Sequence, residues 1–215
     1  MRCGVCQRVL VVPLHQAVHV GSHPELRDDV LAERLHRFPC PGCASPVTIE
    51  KMFAYTDFDR GQWFVVVSPI ELPHVEEWRE FAARAFHSSM AAHAEIAAGM
   101  TRRVVFGLAS LREKLVASDA GIDDRLLELF KMQLLREIYV SPRAATCHLT
   151  RVEGDTLHFE VIEPGMRRQA TARRTELEQL AQRADELVRE WNTLFNGTVV
   201  DLRVLFPAPD VQAPG

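Results

Sequence analysis

The chain is poor in cysteine and tyrosine, with five and two of them among 215 residues, and it lacks a long apolar run. The longest run, around VVPLHQAV, is too short and too interrupted to span a bilayer, and residues 1–20 lack the apolar stretch of a secretory signal peptide. Neither sign of charge dominates, because 25 basic and 29 acidic residues give a formal charge of -4. We therefore predict a cytoplasmic protein without a membrane segment and without a whole-chain attraction to polyanions.

The familiar catalytic signatures are absent as well. The sequence contains no GxSxG, Walker loop, HExxH or GxGxxG, which are typical of hydrolases, NTPases, zincins and dinucleotide-binding enzymes. Hydrophobic side chains make up 47% of the chain, which is enough to bury a core. We therefore expect a folded protein whose function is not catalytic.

Four of the five cysteines form two CxxC pairs, Cys3 with Cys6 and Cys40 with Cys43. Two residues between cysteines allow one tight turn to point both sulfur atoms at a single ion, and two such turns complete a tetrahedron of thiolates. Cytosolic thiols stay reduced, which favours metal ligands over disulfides. A redox CxxC should precede a helix, whereas Cys43 precedes the strand-like ASPVTIE. We predict one structural Zn²⁺ on these four cysteines, with a disulfide, a redox pair or an iron centre as alternatives.

Three arginines, Arg2, Arg8 and Arg37, flank the cysteines. Four thiolates around Zn²⁺ carry a net charge of about -2, so nearby cations would stabilise the site. The alternative for these arginines is ordinary surface solvation.

The order of these motifs resembles a known family. CxxC, HPELRDDVLAERLHRF, PCPGC and AYTDFD, followed by RRVVFGLASLREKL and GIDDRLLELFK, is similar to the bacterial and archaeal proteins named for two CpXC motifs, over about residues 1–135. The resemblance implies a zinc-ribbon-like fold and the same four cysteine ligands, and it implies no particular activity. The first pair lacks the proline of the motif, and Gln7 and Ala44 stand where a glycine often follows such a turn.

The periodicity of the sequence predicts an α+β protein. An N-terminal zinc ribbon at 1–70 would contain a two-stranded ribbon at 8–20, an inserted helix at 24–36, and strands in VTIE, MFAYTDF and QWFVVVSPI. A helical block at 71–142 would hold a helix over 75–98, a second helix carrying Val104, Leu108, Leu111 and Leu115, and a third capped by Asp123.

The remainder predicts a smaller α/β segment at 143–206 with the order hairpin, helix, strand. The hairpin would turn at 153–155, the helix would cover RRTELEQLAQRADELVREWNTLFNG, and the strand would be TVVDLRVLF. The last residues, 207–215, have too few apolar side chains to pack and are predicted to be disordered.

A zinc deaminase is the main enzymatic alternative, because its signature is HxE followed by PCxxC. His23 and Glu25 precede Pro39, Cys40 and Cys43 in this order. Four of the nine histidines stand in an HxE triplet, however, and the deaminase interpretation leaves Cys3 and Cys6 without a role. We therefore keep it below the structural zinc site.

Other candidate residues have plainer explanations. His15, His19 and His23 recur every fourth residue and are either a second metal or pH-sensitive site or polar residues on a half-exposed ribbon. In YTDFDRG, Asp57 and Asp59 are either an acid and base pair or part of a turn with Arg60 and Gly61. Cys147 lies in a strand-like stretch and is predicted to be a small buried side chain.

Two binding functions remain. The leading hypothesis is a protein-interaction or assembly module, acting on a protein partner or on further copies of the chain, because a closed zinc site leaves no position for a substrate. The alternative is a nucleic-acid-binding zinc ribbon, which would use the arginines of RRQATARR: Arg167, Arg168, Arg173 and Arg174. Acidic TELE next to that segment reduces its positive field.

Overall fold

The computed structural model describes residues 1–195 and 197–206, without the side chains of residues 184 and 185. The chain forms two compact units. Unit 1 comprises Met1–Glu71 and Glu76–Leu111, and unit 2 comprises Leu72–Val75 and the chain from Arg112 onward. The described residues mix helices with three sheets, so the predicted α+β class is confirmed at that level. The tail predicted to be disordered, 207–215, lies outside the described residues.

A four-stranded sheet is the centre of unit 1. It has the order β1 (Ala17–His19), β4 (Phe53–Asp57), β5 (Gln62–Val67) and β6 (Thr101–Phe106). β4 and β5 are antiparallel and joined by the predicted turn, whereas β1 runs parallel to β4 and β6 parallel to β5. All six residues of β5 are buried, which fits a central strand covered on both faces.

The helix α1 (Pro24–Leu31) and a small sheet of β2 (Arg37–Pro39) and β3 (Pro46–Thr48) lie between the two CxxC pairs and around the second. α1 is shorter than predicted because the chain turns after it, with positive φ angles at Glu33 and His36. The two-stranded ribbon predicted at 8–20 is wrong. Within it Val9 makes only an isolated bridge with Arg2, and Ala17–His19 pairs with β4 instead.

The block predicted to be helical contains a strand. A 3₁₀ helix (Pro69–His74), α2 (Val75–Met90) and α3 (Ala94–Ala98) precede β6, and α4 (Leu108–Asp119) follows it. The single helix predicted over 75–98 is therefore two helices, although Gly99 does end the second. Val104 lies in β6, buried with Val105 and Phe106, because a short continuous apolar run suits a covered strand as well as a helix.

Unit 2 packs helices on a three-stranded antiparallel sheet. α5 (Asp124–Glu137) begins at Asp123, whose carboxylate accepts hydrogen bonds from the Arg125 and Leu126 amides as a helix cap. β7 (Thr146–Glu153), β8 (Thr156–Glu163) and β9 (Met166–Arg173) form the sheet in that order. The predicted hairpin is β7 and β8, turning at Gly154 with φ +58°. Cys147 is buried in this core, as predicted.

Two predictions for the C-terminal part are wrong in detail. The segment RRQATARR lies mainly in β9, and the long helix predicted after it is divided into α6 (Arg174–Gln182) and α7 (Ala184–Leu194). The last predicted strand is the short helix α8 (Leu202–Leu205). Backbone groups that a strand would pair in a sheet bond to buried side chains here, since Val200 O accepts from Lys114 and Leu202 N donates to Glu128.

None of the helices among the described residues is both long enough and apolar enough to cross a membrane.

Candidate metal centre

The first CxxC pair is held by a tight backbone turn. The Cys3 amide donates to Arg8 O at 2.8 Å, and the Gln7 amide donates to Cys3 O at 3.0 Å. The Val5 amide points at the Cys3 sulfur, with a distance of 3.4 Å from N to Sγ. Gln7 has φ +60°, so it adopts the left-handed conformation for which a glycine is usually selected.

The second pair repeats this turn at equivalent positions. The Cys40 amide donates to Ser45 O at 2.9 Å, and the Ala44 amide donates to Cys40 O at 2.8 Å. The Gly42 amide lies 3.4 Å from the Cys40 sulfur, and Ala44 has φ +57°. Gln7 and Ala44 therefore both adopt the left-handed backbone conformation that glycine would take without steric cost.

The two turns bring all four sulfur atoms together. The distance between Sγ atoms is 3.5 Å for Cys6 and Cys40 and 3.7 Å for Cys3 and Cys43, and the four atoms lie within 4.8 Å of one another. A disulfide needs about 2.05 Å between sulfur atoms, so these are free thiols. A tetrahedron with metal–sulfur bonds of about 2.3 Å has edges of about 3.8 Å. The spacing therefore fits four ligands around one ion.

The inner half of this centre is shielded from solvent. Cys3 and Cys40 are buried at 1% and 2% exposure, and they pack with Leu10, Val12 and Val47 in a small apolar cluster. Cys6 and Cys43 are exposed. An ion bound here would have the apolar cluster on its buried side. Its solvent-facing side would carry Cys6 and Cys43, the second cysteine of each pair.

Hydrogen bonds shift the pKa values of Cys6, Cys40 and Cys43 in different directions. The hydroxyl and amide of Ser45 lower the pKa of Cys43 to about 6, and the Gly42 amide lowers the pKa of Cys40. The Arg8 amide favours the Cys6 thiolate, but bonding to the other sulfur atoms and burial raise the pKa of Cys6 to about 11. Closely spaced thiolates repel one another, so a divalent cation would bind with release of protons.

The three flanking arginines are all exposed, and two have described contacts beside the turns. The Arg2 guanidinium donates to Gln7 O at 3.3 Å. The Arg8 side chain crosses Gly42 so closely that a Cβ on Gly42 would lie 2.8 Å from Arg8 Cδ and 3.2 Å from Cys6 Sγ. Glycine at 42 therefore lets the two turns approach each other.

A family model described as CpXC protein matches residues 1–131, which include both turns and the four sulfur atoms. The chain belongs to the CpXC family. The family has no characterised activity, so membership by itself leaves the function open. No curated protein and no solved structure matches the chain.

The histidines do not join the metal centre of this CpXC protein. Among the described residues, the four cysteines are the one group of three or more potential ligands close enough to share an ion. The His15 amide instead donates to Nε2 of the buried His36 at 3.0 Å, and the two rings are stacked. His19 lies on β1, and His23 contacts Glu25 at 3.0 Å on the surface. The deaminase-like combination is thus not assembled around the cysteines.

The aspartates of YTDFDRG form a turn. Asp57 is buried and accepts from the backbone and side-chain nitrogens of Arg60, each at 3.1 Å, and its carboxylate lies 3.9 Å from Arg27 Nε. Asp59 is exposed. The buried carboxylate is therefore fixed by cations at the end of β4.

Sequence reasoning missed a buried charge network in unit 2. Lys131 Nζ lies 3.0 Å from Glu113 Oε2 and 2.8 Å from Glu128 Oε1. Lys114 Nζ contacts Asp124 at 3.2 Å and Val200 O at 2.7 Å. The side chains of Glu113, Glu128, Lys114 and Lys131 all have 6% exposure or less.

The same carboxylates also hold backbone. Glu113 accepts the Leu149 amide of β7, and Glu128 accepts the Leu202 amide of α8, each at 2.9 Å. Burial disfavours the charged form of Glu113, but Lys131 and His148 hold its pKa well below its usual range. One signal in the sequence was available: Lys131 falls between Leu127 and Leu134 on the apolar stripe of α5.

Most arginines of the RRQATARR segment are paired with carboxylates. Arg167 contacts Glu160 at 3.1 Å, Arg168 contacts Glu163, and Arg174 contacts Glu178 at 3.1 Å. Arg173 ends β9. These ion pairs reduce the positive field that a phosphate backbone would meet.

Proposed function

We propose that the chain is a non-catalytic protein in which the four cysteines hold one structural Zn²⁺ and the surface around this centre binds another protein chain. The convergence of four sulfur atoms carries the proposal. Four thiolates complete the tetrahedral shell of zinc, so no coordination position is left for a water or a substrate.

Zinc is favoured by the chemistry of the donors. Soft thiolates in tetrahedral geometry select zinc or iron among the common metals, and zinc is the usual ion in sites of paired CxxC turns. The amides of Val5 and Gly42 point at sulfur atoms, which stabilises the thiolate form and orients the ligands. In this role the bound ion would link the two turns through the four cysteine side chains.

A protein partner is favoured by the surface of the first turn. Val5, Val9 and Val11 are exposed at 72%, 54% and 95%, and Met1 is exposed at 54%. Cys3 and Leu10 of the same segment point into the cluster beneath the site. Exposed β-branched side chains next to a rigid metal site offer a preorganised apolar contact, which is the usual basis of protein recognition.

Nucleic acid is the weaker alternative, because Arg167, Arg168 and Arg174 already have carboxylate partners. The formal charge of -4 adds no long-range attraction.

The proposal is tested by comparing the zinc-loaded chain with a Val5→Ser/Val11→Ser variant. Both side chains point away from the cysteines' apolar cluster, so we expect the variant to bind zinc as the wild type does. Light scattering behind size-exclusion chromatography and crosslinking in a lysate should show self-association or specific protein partners in the wild type that the variant loses. A wild type that stays monomeric at every concentration, with the same crosslinked proteins as the variant, would overturn the interaction role.

A further inference from the structure

The four thiols are arranged as two pairs that cross between the turns. Cys6 and Cys40 have sulfur atoms 3.5 Å apart, and Cys3 and Cys43 have sulfur atoms 3.7 Å apart. Each pair joins one exposed thiol, Cys6 or Cys43, to one buried thiol.

We propose that this centre is a peroxide-reactive site, in which hydroperoxides oxidise the exposed cysteines and the buried partners close disulfides between the two turns. The inference rests on the four-cysteine site of the proposed function, but it does not depend on which ion is bound. It adds a reaction, and hence a regulated state, to a site whose proposed role is structural.

The chemistry needs one oxidant for each disulfide. The Cys43 thiolate attacks a peroxide oxygen, the O–O bond breaks, and with one proton the products are a sulfenic acid and water. The Cys3 thiolate then attacks the Cys43 sulfur; the S–S bond forms, the S–O bond breaks, and the leaving hydroxide takes up a second proton. Two thiolates have lost two electrons and hydrogen peroxide has gained them, with two waters formed. In the other pair the same steps start at Cys6, after its thiol has given its proton to solvent, and Cys40 closes the disulfide.

The geometry favours these crossed pairs because little movement is required. A disulfide needs about 2.05 Å between sulfur atoms, so the sulfurs of Cys6 and Cys40 must approach by about 1.5 Å. The buried thiols cannot meet the oxidant first, since Cys3 and Cys40 are only 1% and 2% exposed. Oxidation removes the thiolates that an ion needs, yet the two turns stay joined by covalent bonds in place of the ion.

The chain contains an internal control. Cys147 is free but buried at 5% exposure among the apolar side chains of unit 2. A reaction governed by exposure and by a nearby second thiol should leave Cys147 unmodified while the four N-terminal cysteines react.

The test treats the full chain with hydrogen peroxide, blocks the remaining thiols and maps disulfides by mass spectrometry after trypsin digestion. Trypsin places Cys3 and Cys6 in the peptide 3–8, and Cys40 and Cys43 in the peptide 38–51. We expect these two peptides to be covalently linked, Cys147 to be alkylated, and dithiothreitol to reverse the link. Disulfides confined within each peptide, sulfinic or sulfonic acids as the main products, or unreacted thiols would overturn the proposal.

Variants separate the two pairs. Cys6→Ser should still form the linked peptides through Cys3 and Cys43, whereas Cys6→Ser/Cys43→Ser should slow the reaction by about tenfold or more. A Cys147→Ser variant should react like the wild type. If the double variant does not fold, the single variants Cys6→Ser and Cys43→Ser, each retaining one crossed pair, decide the question.

The same mapping on reduced, metal-free protein separates this inference from the zinc proposal. Linked peptides from a chain that binds no zinc would support the peroxide-reactive site and overturn the structural zinc. Zinc binding without linked peptides would support the structural zinc and overturn the peroxide-reactive site. In zinc-loaded protein, a chelating dye should report loss of the bound zinc at the rate at which the linked peptides appear.

Discussion

The candidate metal centre of unit 1 and the buried charge network of unit 2 both gather polar side chains, but they do so by different means. The cysteines lie in two short turns, with backbone amides aimed at sulfur atoms and two of the four thiols at the surface. Glu113, Glu128 and Lys131 come from two helices and are almost completely buried, and the two carboxylates accept backbone amides of β7 and α8. A site formed by local turns can remain partly exposed to solvent, so an ion could enter and leave it. Charges buried between distant elements must be paired with one another, because an unpaired buried charge would destabilise the fold.

The largest effect should follow from removing a ligand of the metal centre. Cys40→Ser replaces a buried thiolate between the two turns, and we expect metal affinity to fall by more than about a hundredfold, because the coordination shell is left incomplete. Segment 1–48 should become sensitive to limited proteolysis while unit 2 keeps its protection. Cys147→Ser, which changes a cysteine far from the site in sequence, is the matched control and should retain metal. Equal metal affinity in both variants would show that Cys40 is not a metal ligand.

The next largest effect should come from the charge network. Lys131→Met keeps the length of the side chain but leaves the carboxylates of Glu113 and Glu128 buried without their shared cation. We expect the free energy of unfolding of unit 2 to fall by about 3–5 kcal/mol, measured by urea denaturation. Arg183→Met breaks an exposed ion pair with Glu186 and should stay within about 1 kcal/mol of the wild type.

A rescue sharpens this result. Adding Glu113→Gln and Glu128→Gln to Lys131→Met removes the uncompensated charges, so the triple variant should be more stable than Lys131→Met alone. A Lys131→Met protein as stable as Arg183→Met would show that the network does not hold unit 2 together.

A smaller effect should appear in the pH dependence of unit 1. His36 is buried, and burial followed by the charge of His15 lowers its pKa below 6.5, while its Nε2 must be unprotonated to accept the His15 amide. The unfolded chain therefore binds the proton more readily than the folded one. Stability contributed by neutral His36 is fully present above pH 6.5 and is lost as the pH falls toward the lower folded value.

His36→Phe should flatten this dependence between pH 7 and 5, because phenylalanine keeps the ring packing against Phe53 but cannot be protonated. The melting temperature of unit 1 at each pH is the measurement. His87→Gln, at an exposed position of α2, should keep the wild-type slope. A His36→Phe protein with the wild-type slope would assign the pH dependence to other groups.

The smallest effect should come from the close approach of the two turns. Gly42→Ala places a methyl group against Arg8 Cδ and Cys6 Sγ, and since the arginine can move, we expect metal affinity to fall only about three- to tenfold. Gly4→Ala in the first turn meets no atom within 4 Å and should be neutral. A competition titration with a chelating dye measures both, and equal affinities would show that the contact at Gly42 has no influence on binding.

The comparison also explains what the sequence could predict. The grouping of the sulfur atoms of Cys3, Cys6, Cys40 and Cys43 was predictable, because each CxxC pair is a local pattern whose geometry depends on few residues. The start of α5 and the hairpin of β7 and β8 were predictable for the same reason, from a cap at Asp123 and a turn at Gly154. Local signals of this kind need no knowledge of the rest of the fold.

Features that depend on distant partners were missed. Val104 has helical spacing with Leu108, but the neighbouring strand β5 makes it part of a sheet. TVVDLRVLF has the composition of a strand, but Lys114 and Glu128 take up its backbone groups. The partner of each residue lies far away in the sequence, so propensity alone could not decide the outcome.

The most direct test of the metal centre is the metal content of the full chain purified without added metal, measured by plasma mass spectrometry beside Cys40→Ser and Cys147→Ser. The account predicts about one zinc per chain in the wild type and in Cys147→Ser, and none in Cys40→Ser. Absence of metal from the wild type, or zinc that survives in Cys40→Ser, would contradict it.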